Sequence, residues 1–155
     1  MIIDALTDAQ EELKRSDHLF YVSLKYTRTV DVIKSLIERL INATGFCLDA
    51  LLLHAKAEGI IEEVPKLPKL KADGVIAAFP EEEFIKECSD FYLFLRKISK
   101  AEFTRSNEFR RHVTMTIEYK GEPLGIKIDH VKEYYDKVQE FFNFCEKFIT
   151  GVEED

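Results

Sequence analysis

A chain of 155 residues has room for one folding unit with a substantial core, and 46% hydrophobic against 33% charged residues excludes disorder over most of its length. Asp and Glu outnumber Lys and Arg by 29 to 22, which excludes a surface that coats nucleic acid or anionic lipid all over, though not a local basic patch.

Thr7 is a candidate N-cap for a short first helix over 8–15, whose acids precede its bases as the helix dipole favours. Next, Leu19, Val22, Tyr26, Val30, Ile33, Leu36 and Leu40 recur every three or four positions and predict a long amphipathic helix from about 17 to about 42. Asn42, Ala43, Thr44 and Gly45 predict a break or kink, after which Phe46, Cys47, Ala50, Leu51 and His54 carry a helical period up to Gly59, as a continuation or as a second helix. Pro65 and Pro68 mark the main loop, followed by a short helix through Phe79. Pro80 and the three glutamates after it predict a helix start. The stripe Phe84, Ile85, Cys88, Phe91, Tyr92, Leu95 and Ile98 carries that helix over 81–103.

Beyond it, β-favouring residues flank Lys120-Gly121, and strands near 112–119 and 124–128 are expected to pair as a hairpin. Asp129 is a candidate cap for a last helix whose Val131, Tyr134, Val138, Phe141, Cys145 and Phe148 form a regular stripe, and the acidic tail 151–155 is expected to fray. The elements together predict a mainly α fold in a single domain over 1–155. Its form is an antiparallel four- to five-helix bundle, with one small hairpin at about 112–128 before the C-terminal helix.

Cys47, Cys88 and Cys145 are odd in number, far apart in sequence and set among apolar residues, which predicts buried thiols in a reducing compartment. With no CxxC, and with His18, His54, His112 and His130 scattered, no metal site is expected. The glycines fall at breaks and turns, so no phosphate loop and no cofactor is expected either. The N-terminal stretch turns acidic within four residues and lacks a long apolar core, so a cytoplasmic protein with no membrane partner is the expectation.

Two polar segments stand out. Over 96–112, Arg96, Lys97, Lys100, Arg105, Arg110 and Arg111 face only Glu102 and Glu108. Arginine offers planar bidentate donors to phosphate and histidine exchanges protons near neutral pH, so Arg105, Arg110, Arg111 and His112 are candidates for phosphate or ligand chemistry. The alternative is that these arginines pair with acidic neighbours such as Glu81 to Glu83 or Glu133. In the other segment, Tyr21, Lys25 and Arg28 share a helix face that forms either a binding wall, with Tyr21 or Tyr26 stacking, or an ordinary solvated surface.

The segment LRKISKAEFTRSNEFRRH at 95–112, with the helical layout around it, resembles the HEPN superfamily of small helical bundles. Arg105, six intervening residues and His112 match the Arg and His spacing of that family, and the run from Lys100 to Arg105 is similar to the segment that follows a bundle helix in several such families. The resemblance implies metal-independent RNA cleavage at a dimer interface, with His112 as general acid or base and Arg105 stabilising the scissile phosphate. It equally implies noncatalytic relatives that bind RNA or nucleotides. The chain departs from the pattern in having Ser106 after the arginine, a predicted strand next to His112, and the additional hairpin. DHLFYVSLKYTRTVDVI and EFRRHVTM also resemble segments of archaeal proteins, a likeness that supplies no activity.

Three functions follow as expectations. The first is a noncatalytic intracellular interaction protein, whose protein partner meets an exposed apolar patch without a convergent polar pocket. The second is a HEPN-like RNA-binding protein or endoribonuclease using Arg105 and His112. The third is a small-ligand or nucleotide-binding bundle, which requires Lys25 and Arg28 to converge with Arg105 to His112 around a cavity. A homodimer joined through a helix face is expected in addition.

Overall fold

The computed structural model describes residues 1–151, so the expected fraying of the acidic tail beyond Gly151 falls outside the described residues. Among the described residues, five helices and a small antiparallel sheet make up the fold. Helix α1 comprises Ile2–His18, a π-helical turn Leu19–Ser23 and a last α-turn Leu24–Tyr26. It is followed by α2 (Val30–Ala57), α3 (Pro68–Ala78), α4 (Glu83–Lys100), strands β1 (Phe103–Ser106), β2 (Thr114–Tyr119) and β3 (Glu122–Ile126), and α5 (Ile128–Thr150).

Helix α1 is longer than its sequence suggested and absorbs the beginning of the next predicted helix. Buried positions Ala9, Leu13 and Ser16 keep α-helical spacing, after which the π turn widens the helix and brings Leu24 back to the core. Val22 and Tyr26 belong to the apolar stripe by spacing, yet both turn outward, Tyr26 with 78% of its surface exposed. The chain breaks at 27–29 rather than near 16 or 42. Thr27 leaves the helical region, and Thr29 begins a new helix by accepting the Val32 N–H on its Oγ1 at 3.3 Å.

From there α2 runs unbroken through Asn42–Gly45. Thr44 Oγ1 donates to the Leu40 carbonyl at 2.7 Å, which satisfies the hydroxyl without leaving the helix. Gly45 stays within the helix, where a Cβ would make an ordinary contact 3.5 Å from the Tyr92 hydroxyl of α4. Gly59, at a φ of +76°, lies just past the end of α2.

Named contacts fix the helix directions. Glu12, buried on α1, holds Arg15 at 3.0 Å and Arg39 of α2 at 3.3 Å. Asp17 accepts from the Tyr135 hydroxyl of α5 at 3.0 Å. Phe84 meets Phe141 and Phe144, Glu87 pairs with Lys137, and Phe91 and Phe94 meet Tyr134, so α4 and α5 are antiparallel. Lys71 of α3 pairs with Asp49 of α2 at 2.8 Å, and His54 lies among Phe79 and Phe148 as a packing residue. The three cysteines, distant in sequence, are all buried as free thiols, with Cys47 close to Cys145.

The β element is a three-stranded sheet in the order β1-β2-β3, where sequence predicted a lone hairpin. Helix α4 stops at Lys100 instead of 103, Ala101 turns extended, and Phe103–Ser106 pairs with β2. The Lys120-Gly121 turn is as expected, with φ of +53° and +81° in a two-residue connection between Tyr119 and Glu122. Strand β3 therefore starts earlier than the predicted 124. Register places Phe103, Ile117 and Leu124 in one row and Arg105, Met115 and Ile126 in the next, and the burial of Met115, Ile117 and Ile126 identifies this as the inner face. Asp129 does not cap α5. The helix starts at Ile128, and the Lys127 N–H donates to His130 Nδ1 at 3.0 Å.

Candidate functional site

The two polar segments singled out in sequence converge at the junction between the end of α1, the start of α2 and the loop joining β1 to β2. The Phe109 N–H donates to the Arg28 carbonyl at 2.6 Å. Glu108 Oε2 accepts the Val30 N–H at 3.2 Å, supplying an acceptor to one of the amides that the first turn of α2 leaves without a helical partner. Within the loop, Arg110 N–H donates to the Asn107 carbonyl and Val113 N–H to the Arg110 carbonyl, making two consecutive turns. The loop is thus folded and tied at several points to α2 and its approach.

Arg105 is not free at this junction. Alternation along β1 puts it in the inner row beside Met115, and at that end of the sheet the inner row meets the first turn of α2. There its Nη2 donates to Asp31 Oδ1 at 2.8 Å, and its Nη1 lies 3.8 Å from Glu108 Oε1. The Asp31 hydrogen bond, together with both nearby carboxylates, raises its pKa and holds it protonated. Its guanidinium carbon also lies 5.1 Å from the centre of the Phe103 ring, which Lys34 approaches at 4.9 Å. The arginine therefore pairs with acidic residues, but with Asp31 and Glu108 and not with Glu81 to Glu83 or Glu133.

His112 lies in the loop, exposed, two positions before β2. Its carbonyl accepts from Thr114 Oγ1 at 2.8 Å, and among the described residues no hydrogen bond or ion pair joins it to Arg105. Arg28, Arg110 and Arg111 make no ion pair among the described residues. Lys25 lies on the last turn of α1 with its Nζ 5.9 Å from the Tyr26 ring centre. The site thus divides into one neutralised arginine and a set of unpaired cations beside it.

Phe109, which sequence reasoning passed over, is the most unusual residue of the junction. It is 75% exposed and held at a φ of +66°, and its neighbour Asn107 is at +54°. Asparagine tolerates this left-handed region, whereas a bulky aromatic residue there is an outlier that costs roughly 1–2 kcal/mol. Part of the signal was present: neither Asn107 nor Arg111, two positions to either side of Phe109, is apolar, so no strand period offers this ring a core.

Elsewhere the surface offers less chemistry. A recess of about 780 Å³ at the opposite end of the bundle is lined by Met1, Ile2, Ile3, Leu53, Lys56, Ala57 and Ile149 and holds one charged side chain. A groove of about 500 Å³ by the hairpin includes Glu102, Thr104, Glu118 and Pro123, carboxylates without a cation. Among the described residues no group of three or more His, Cys, Asp or Glu could hold a metal ion, and no helix is long and apolar enough to cross a membrane. Comparison with family models, with curated proteins and with solved structures finds no match for the chain.

Proposed function

We propose that the chain is a noncatalytic interaction protein of the cytoplasm, and that it meets its partner on the face formed by the 107–112 loop and the approach to α2. One observation carries this reading: Phe109 is exposed in a conformation unfavourable for its side chain, on a loop held in place by Glu108 and by the bond to Arg28. An exposed aromatic residue is a net cost to an isolated fold when its backbone is also strained, and such strain concentrates at functional sites. A folded loop that already presents the ring loses little entropy on docking.

The nuclease reading has less support. Its phosphate-stabilising cation, Arg105, already serves Asp31 and Glu108, and among the described residues no hydrogen bond or ion pair joins its histidine to them. A main-chain bond from Phe109 to Arg28 joins the two segments that a ligand-binding bundle would use, but Phe109 there is exposed on a loop. The test is incubation of a mixed RNA pool, metal-free and near neutral pH, with the wild type, His112→Ala and Arg105→Ala. Equal background in all three is expected; cleavage by the wild type that is lost in both variants would overturn the noncatalytic reading.

A further inference from the structure

Taking that reading as its basis, we infer that the Phe109 face docks an acidic segment of a protein partner, one that carries an apolar side chain between its carboxylates. The first argument is charge. Lys25, Arg28, Arg110 and Arg111 have no ion pair among the described residues, while Arg105 is balanced by Asp31 and Glu108. These four unpaired cations sit in a chain of net charge −7, so the surface beyond them is more acidic than the total suggests. These cations are therefore a local excess in an acidic chain, and their field favours an anionic ligand near them.

Their small number selects the kind of ligand. A nucleic-acid strand carries charge at every residue and is held by a cationic groove that tracks its backbone. Here such a strand would leave the four cations after a few residues and meet a chain whose remaining charge is acidic in excess. A protein segment can confine its carboxylates to the cations and be neutral beyond them.

The second argument is composition. The loop presents an exposed ring, Phe109, next in sequence to Arg110 and Arg111, and aromatic residues and arginine dominate the energetics of protein interfaces. Bidentate Arg–carboxylate bonds would fix the segment's register, and an apolar side chain set against the Phe109 ring would remove it from water. The loop is already folded by the Glu108 and Arg28 contacts, so few additional backbone torsions must be ordered when the segment binds.

The experiment is selection from a displayed library of random short peptides on the full chain. It is followed by fluorescence anisotropy with an enriched peptide, with its Asp/Glu→Asn/Gln counterpart, and with labelled single-stranded oligouridine. Each probe is titrated against the wild type, Phe109→Gly and the double variant Arg110→Glu, Arg111→Glu, with far-UV circular dichroism verifying that the variants fold. The expected result is enrichment of peptides combining Asp or Glu with Leu, Phe or Trp, and affinity reduced about tenfold or more in either variant and in the neutral counterpart.

Enriched peptides without acidic bias, or acidic peptides that bind both variants as tightly as the wild type, would overturn the inference. Oligouridine binding that depends on Phe109 and Arg110, with no such peptide binding, would overturn it too while leaving the face as a binding site. If neither probe binds in a way that depends on these residues, the interaction reading of this face falls with it.

Discussion

Replacing Phe109 by glycine should leave the stability of the fold almost unchanged, although it deletes an entire aromatic side chain. With 75% of the residue exposed, about a quarter of its surface is buried. A fully buried aromatic covers about 150–250 Å², so roughly 50 Å² is lost, or about 1.2 kcal/mol at 25 cal/mol per Å². Against this, glycine relieves the left-handed backbone by roughly 1–2 kcal/mol, of which the greater freedom of its unfolded chain takes back about 0.5–1 kcal/mol. The net change lies within about 1 kcal/mol of zero, or about 2–4 °C in Tm for a chain of this size. By contrast, truncating Phe141, which is 1% exposed, to alanine should cost about 3–5 kcal/mol. Urea unfolding followed by circular dichroism measures both. A loss above about 2 kcal/mol for Phe109→Gly would mean that the ring holds the loop in place, and the inference from its exposure to a partner would fail.

Glu108→Ala removes the acceptor of the buried Val30 amide and one of the carboxylates near Arg105, and should destabilise the fold by about 1–2 kcal/mol. Glu108→Gln keeps an amide oxygen for that bond and should lose less; equal melting of the wild type and the alanine variant would contradict the tie. Gly45→Ala should gain about 0.5–1 kcal/mol, since its Cβ makes an ordinary 3.5 Å contact with Tyr92 and glycine is the poorer helix former. A measured loss would mean that α4 must move away to accept the methyl group. Alkaline pH should weaken the fold in a definite window. Burial pushes the Cys88 thiol from 9.0 to about 12, so the stability from keeping it protonated is complete below pH 9 and is lost as pH rises toward 12. Burial raises Cys145, Tyr134 and Tyr135 in the same direction. Urea midpoints that stay flat from pH 9 to 11.5 would refute this, as would rapid reaction of the native thiols with a disulfide reagent near pH 8.

The stripes on α4 and α5 were legible because helical burial repeats every three or four residues and the core takes one face of each helix. Other positions misled for stated reasons. Val22 and Tyr26 continue the apolar period but face solvent, because a π turn changes the phase of α1 and Thr27–Thr29 end it. Asn42–Gly45 has the composition of a break, yet Thr44 bonds back to Leu40 and Gly45 packs beside Tyr92 within the unbroken helix. Phe103–Ser106 was assigned partly to a helix because a four-residue strand has too few positions to display alternation, and its pairing with β2 is what makes it a strand.

At the junction the division is sharper. Sequence alone determined a mainly helical chain, the Lys120-Gly121 turn, the acidic total and the two segments in which cations gather, since each depends on residues near one another along the chain. Tertiary structure decided that Asp31 neutralises Arg105 from 74 positions away, that Glu108 ties the loop to α2, and that Cys47 meets Cys145. It also decided that Phe109 stands exposed on a loop bonded through its main chain to Arg28. A charge or a ring acquires its environment from whatever the folded chain brings beside it, and strand register and helix crossing set those neighbours through contacts that no local period encodes.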